Sequence, residues 1–110
     1  MGYRSNVAFA GDEVAKFIIE NVVKRDDTFK EFIEYGEDLA YGEAIRIRWD
    51  SIKYYDGYED VDCLNNIMVA LDQFSEESYG FMRIGEDVTD IEEKGYPYDF
   101  DMYLNRSIEL

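Results

Sequence analysis

Ala44-Ile45-Arg46-Ile47-Arg48-Trp49-Asp50-Ser51-Ile52-Lys53-Tyr54-Tyr55 is the stretch on which the fold turns. Ile45, Ile47 and Trp49 alternate with Arg46, Arg48 and Asp50, the period of a strand with one face buried. After Ser51 the parity changes, because Ile52 and Tyr54 become the inward residues. A bulge or bend near Asp50-Ser51 produces this change, since one extra residue re-aims every side chain after it. The stretch carries the only tryptophan and lies midway between a helical first half and an acid-rich second half.

Upstream, residues 3–10 read as a first strand, with Tyr3, Ser5, Val7 and Phe9 on one face. Gly11-Asp12 breaks it, and Asp12 is placed to cap a helix. Val14, Phe17, Ile18 and Val22 recur at helical spacing, widened by Ala15, Ile19 and Val23. A short second helix follows Asp26-Asp27, with Thr28 and Glu31 at capping-box spacing and Phe29, Phe32 and Ile33 on one face. Gly36 and Gly42 bracket a loop into the central strand.

Downstream, Asp56-Gly57 marks a turn and Asp60 is expected to cap a helix whose stripe is Val61, Leu64, Ile67, Met68 and Leu71. Residues 78–85 read as a strand, residues 86–95 as an acidic connection, and residues 98–110 as a long final strand. The predicted fold is α+β: a mainly antiparallel sheet with two main helices packed on one face, a ferredoxin-like variant, in a single domain spanning residues 1–110.

Three islands resemble a family of small proteins encoded by phages, prophages and plasmids. They are Met1-Gly2-Tyr3-Arg4-Ser5, Ile52-Lys53-Tyr54-Tyr55-Asp56-Gly57-Tyr58 with Asp60-Val61, and Phe81-Met82-Arg83-Ile84-Gly85-Glu86-Asp87. The resemblance implies a ferredoxin-like domain of mobile-element origin, with a part in host takeover or counter-defence. It supplies no catalytic residues.

The chain of 110 residues has a net charge of -15, with 46% hydrophobic and 16% aromatic residues, too apolar for a disordered acidic tail. The charge is uneven. Residues 1–55 hold eight Lys/Arg against eleven Asp/Glu, and residues 56–110 hold three against fifteen. Direct binding of nucleic acid or an anionic membrane through such a surface is disfavoured, because phosphate contacts need Lys and Arg. No apolar run is long enough to span a bilayer, and the first residues lack the apolar core of a signal peptide, so a cytoplasmic protein of the host cell is expected.

Histidine is absent, which removes His-activated nucleophiles and His-ligated zinc. The single cysteine, Cys63, lies on the amphipathic helix and reads as structural. The Asp56–Asp62 segment departs from a calcium loop, with Tyr58, Val61 and Ile67 at positions 3, 6 and 12. No catalytic residue, metal site or cofactor is therefore expected.

Two surfaces remain. The first is acidic: Asp56, Tyr58, Glu59, Asp60, Asp62, Glu76, Glu77, Glu86, Asp87, Asp90, Glu92 and Glu93. Together these residues suit a host protein with a basic, nucleic-acid-binding surface, with carboxylates in place of phosphates and tyrosines as anchors. A solvated face that serves solubility would use the same residues. The expected function is an inhibitor of phage type, partly a DNA mimic. The second surface is the sheet face opposite the helices, where Arg4, Arg46, Arg48, Arg83 and Tyr103, with Tyr79 and Phe81, would hold a nucleotide by charge and stacking. That reading takes Val7, Ile47, Met82, Ile84 and Met102 as inward, and Asn105 as outward.

Overall fold

In the computed structural model, which describes residues 2–39, 44–87, 89–100, 102–104 and 108–109 (the last four by backbone only), the central stretch is a strand, β3 (Ile45–Ile52). It follows β1 (Ser5–Gly11), α1 (Glu13–Val23), α2 (Asp27–Tyr35) and a two-residue strand β2 (Glu37–Asp38). After it come α3 (Glu59–Phe74), a 3-10 turn (Glu76–Ser78), β4 (Tyr79–Ile84) and β5 (Ile91–Gly95). A second 3-10 turn (Pro97–Phe100) leads to the short pair β6 (Tyr103–Leu104) and β7 (Ile108–Glu109). The main sheet is antiparallel throughout, in the order β2-β3-β1-β4-β5. This is an α+β fold with its helices on one face.

β1 occupies the middle of the sheet, and Val7, Ala8, Phe9 and Ala10 are all fully buried because both faces are covered. Val7 and Phe9 face the helices and join a core with Trp49, Phe29, Leu64 and Phe81. Ala8 and Ala10 face the other way, under Met82 and Met102. Small residues serve there because the second 3-10 turn and β7 lie directly over β1 and β4. Gly80 permits the closest approach, since a Cβ on it would lie 2.5 Å from Pro97 Cα.

The predicted bulge is present. Ser5 pairs with Ile52 and Val7 with Trp49, so three steps on β3 oppose two on β1. Ser51 takes up the extra residue at φ 54°, the left-handed region that side chains disfavour. Its backbone is held by side chains of the neighbouring strand: Ser51 N–H donates to Asn6 Oδ1 at 2.8 Å, and Arg4 donates to the Ser51 carbonyl at 3.0 Å. Ser51→Gly is expected to leave stability unchanged or raise it by up to about 1 kcal/mol, and Ser51→Val to lower it by about 1–2 kcal/mol. Urea unfolding followed by circular dichroism measures both. Equal midpoints for the two variants would show that the bulge stores no strain.

Trp49 is almost completely buried; its ring stacks on Phe32 at 4.6 Å and its indole N–H donates to the Phe32 carbonyl at 2.8 Å. The stripe expected on α3 is buried at all five positions. α1 is capped by Asp12, which accepts from the Val14 and Ala15 N–H groups.

Several expectations are corrected. Val14 and Phe17 remain 43% and 69% exposed, because α1 meets the core through Ala15 and Ile19 instead. Asp26, not Thr28, caps α2, accepting from Phe29 N–H at 3.0 Å. Asp60 does not cap α3. Its carboxylate accepts from the adjacent Val61 N–H, and Asp62 reaches back to Gly57 N–H. The loop after Gly36 contains β2, with Gly42 outside the described residues. Residues 91–95 of the acidic connection form an edge strand.

The expected strand over residues 98–110 begins instead as the 3-10 turn, and Met102 is buried on the outer face. The parity of β4 is also reversed: Tyr79 and Phe81 face the helices, and Met82 faces away. Tyr79 stacks on Phe9 at 5.7 Å and Phe81 lies 5.9 Å from Tyr54, ring contacts that settle the direction. Among the described residues, no helix is long and apolar enough to cross a membrane.

Candidate acidic interface

The acidic residues singled out in the sequence fall mainly at two ends of the molecule. At one, β3 gives way to α3 and β4 turns into β5. Arg83 organises it: its guanidinium donates to Asp90 at 2.7 and 3.1 Å, to Glu92 at 3.1 Å and to Ser5 Oγ at 3.1 Å. These bonds hold Asp90 below the usual carboxylate range, helped by the Tyr3 hydroxyl, which donates to Asp90 at 2.7 Å. They also raise the Arg83 pKa.

Tyr3 accepts in turn from Asp87 N–H, and Glu86 accepts from Arg4 N–H. Asp87 is held below its ordinary value by the Thr89 N–H and hydroxyl. Beside this hairpin tip lie Asp56 and Asp60, whose charges, with that of Glu92, add to burial in pushing the Tyr54 phenol up. Tyr58, 44% exposed, packs edge-on against Tyr55, and Tyr55 donates to the Tyr3 carbonyl.

The opposite end, where α3 passes into β4, holds Glu76 and Glu77. Tyr96 donates to Glu76 at 3.3 Å, and the Glu76 charge raises the Tyr96 phenol. Tyr79 donates to Asp72 at 2.7 Å, and its phenol is raised by burial first and by that bond second. Tyr98, in the second 3-10 turn, donates to Glu93 of β5 at 2.7 Å. The twelve predicted residues therefore do not share one patch. Asp56, Tyr58, Glu59, Asp60, Asp62, Glu86, Asp87, Asp90 and Glu92 belong to the first end. Glu76 and Glu77 belong to the second, with Glu93 on the edge strand between them. The 16 residues of α3 separate the ends by about 24 Å at 1.5 Å each.

One feature was not predicted: four tyrosine hydroxyls, from Tyr3, Tyr79, Tyr96 and Tyr98, each donate to a carboxylate. A phenol orients a carboxylate without neutralising it, whereas Arg or Lys does both. Asp90 is held by Arg83 as well, whereas at Asp72, Glu76 and Glu93 the phenol fixes the acid and leaves its charge in place. Stability should therefore rise with ionic strength. Taking salt from about 10 mM to about 1 M cuts the Debye length from about 30 to about 3 Å. If self-repulsion costs about 1 kcal/mol, the thermal midpoint rises by about 4–8 °C. A midpoint that falls with salt would show that ion pairs outweigh the surplus charge.

The second predicted set is not brought together. Arg83 lies on the helix side of the sheet, paired as above. Arg46 donates to the Phe100 carbonyl at 2.6 Å. Arg48 pairs with Glu37 at 3.0 Å and Asp50 at 3.5 Å. Arg4 borders a hollow of about 400 Å³ with Lys53, Asn6 and Ser51. The side chains of Tyr103 and Asn105 lie outside the described residues. Tyr79 and Phe81 are buried under the helices.

Cys63 is half-buried, and its thiol is pushed up by burial and then by the charges of Asp26 and Asp60, which disfavours a reactive thiolate. Among the described residues, no three carboxylate or thiol groups come together as a metal ion requires. In comparisons with protein-family models, curated proteins and solved structures, no match to this chain is found.

Proposed function

We propose that the protein is a small acidic inhibitor that binds and blocks the basic surface of a host defence or nucleic-acid-processing protein, partly by placing carboxylates where that surface takes phosphates. The observation that carries this reading is the tyrosine–carboxylate pairing. It holds Glu76 at one end and Glu93 on the edge strand in place and leaves their charge unspent. The surplus is large, because 26 acidic residues stand against 11 basic ones. The activity is binding, not catalysis, and takes place inside the host cell. The β2-β3-β1-β4 order, with two strand–helix–strand steps on one face, supports a ferredoxin-like scaffold to which β5 is added.

Capture from a bacterial lysate at low salt tests the reading. The protein is expected to retain nucleic-acid-binding proteins and to release them when duplex DNA is added. Retention that ignores DNA would rule out competition for a phosphate-binding surface.

A further inference from the structure

β5 is the outermost strand of the sheet, and no described strand lies beyond it. Its free edge can be read from the ladder. Gly85 N–H donates to the Asp90 carbonyl at 2.8 Å and Tyr96 N–H to the Tyr79 carbonyl at 2.9 Å. Hydrogen-bonded pairs alternate along an antiparallel ladder, so Glu92 and Lys94 turn their backbone groups toward β4. Ile91 and Glu93 then turn theirs outward. Ile91 N–H is already used by the Thr89 carbonyl at 3.1 Å, which leaves, before the positive-φ Gly95, the Glu93 N–H and the Ile91 and Glu93 carbonyls.

We propose that this edge receives an extended, basic segment of the partner protein as a sixth strand. The inference rests on the acidic-inhibitor reading and names how the contact is made. Charge complementarity selects the occupant. Glu93, opposite Met82, projects on the outer face, and Glu92, opposite Arg83, projects on the helix face. Glu92 is shared with Arg83 and Lys94, so an arriving strand meets its uncompensated carboxylate at Glu93, and opposite-charge neighbours across strands stabilise pairing. Asp90 and the Asp56–Asp60 group lie beyond one end of β5, and Glu76 beyond the other. Ile91, 39% exposed, offers an apolar contact between charges. A second copy is a poorer occupant, because it adds another chain of charge -15 and sets Glu93 against Glu93 when the strands pair about that residue.

The probe is a synthetic peptide of alternating lysine and valine, with a twin N-methylated on alternate amides to block strand pairing at unchanged charge. The full chain, isotope-labelled, is followed by NMR amide exchange. The unmodified peptide is expected to slow exchange at Glu93 by at least about tenfold and to bind at least about tenfold more tightly than its twin. Glu93→Pro removes the outward donor without touching a β4 bond and is expected to lose that difference. Glu93→Gln, which keeps the donor, is expected to retain it.

Equal binding of the two peptides, or an unprotected Glu93 amide, would overturn the edge-strand inference while leaving the acidic reading intact. Binding of neither peptide, nor of polylysine, would remove both. Protection of Glu93 in the free protein that disappears on dilution would assign the edge to a second copy and overturn the inference.

Discussion

Trp49→Ala is expected to cost about 3–5 kcal/mol, the range for truncating a buried aromatic. For a domain whose whole stability is about 5–15 kcal/mol, that is a large share. The loss has two parts. The cavity opens where β3 meets α2, because Phe32 loses its stacking partner at 4.6 Å. The Phe32 carbonyl also loses the indole N–H in a buried place. Trp49→Phe keeps a ring on Phe32 and forfeits the hydrogen bond and a smaller volume, so it should cost less. Urea unfolding read by far-ultraviolet circular dichroism separates them; equal costs would mean that the ring contact contributes nothing.

Arg83→Ala is expected to cost about 2–3 kcal/mol at neutral pH, from the charged hydrogen bonds to Asp90 and Glu92 and the one to Ser5, allowing for their partial exposure. The pH dependence supplies a second reading of the same site. Asp90 is depressed in the folded protein by Arg83 and Tyr3. Its contribution is complete above the unfolded value of about 3.9 and is lost as pH falls through the lower folded value. In the variant, Asp90 and Glu92 face each other without their cation, and protonation relieves that repulsion. The difference between wild type and variant should therefore shrink as the pH drops below about 4. A difference independent of pH would show that Arg83 acts by packing alone.

The central strand was legible because polar residues separated Ile45, Ile47 and Trp49, and because Ile52 and Tyr54 broke that parity. The α3 stripe was legible for the same reason at helical period. β4 was not: Tyr79-Gly80-Phe81-Met82 is apolar on both sides, and both sides are buried, so no period distinguishes the faces. Ile91-Glu92-Glu93-Lys94-Gly95 carries no strand pattern either; it is ordered by pairing with β4 and by contacts of Lys94 with Asn65 and Phe81. The alternation over residues 98–110 misled at its start, because residues 97–100 turn across β4 instead of extending.

At the candidate site, composition announced the charge but not its division between two ends. Tyr3 and Asp90 are 87 residues apart in the chain, so their bond leaves no local trace. The arginines were expected on one face, and the change of parity in β4 puts Arg83 on the other. What the sequence did contain was the raw material for tyrosine pairing: ten tyrosines beside 26 acids and only 11 cations.

The most direct test of the acidic-inhibitor reading is a displacement titration. A partner recovered from lysate is bound to a fluorescent DNA duplex, and the protein is added at a series of salt concentrations while anisotropy is read. The expected result is full release of the duplex at low salt, with the protein's affinity for the partner falling steeply as salt rises. A duplex that stays bound while the protein joins it, or an affinity that does not change with salt, would contradict the reading.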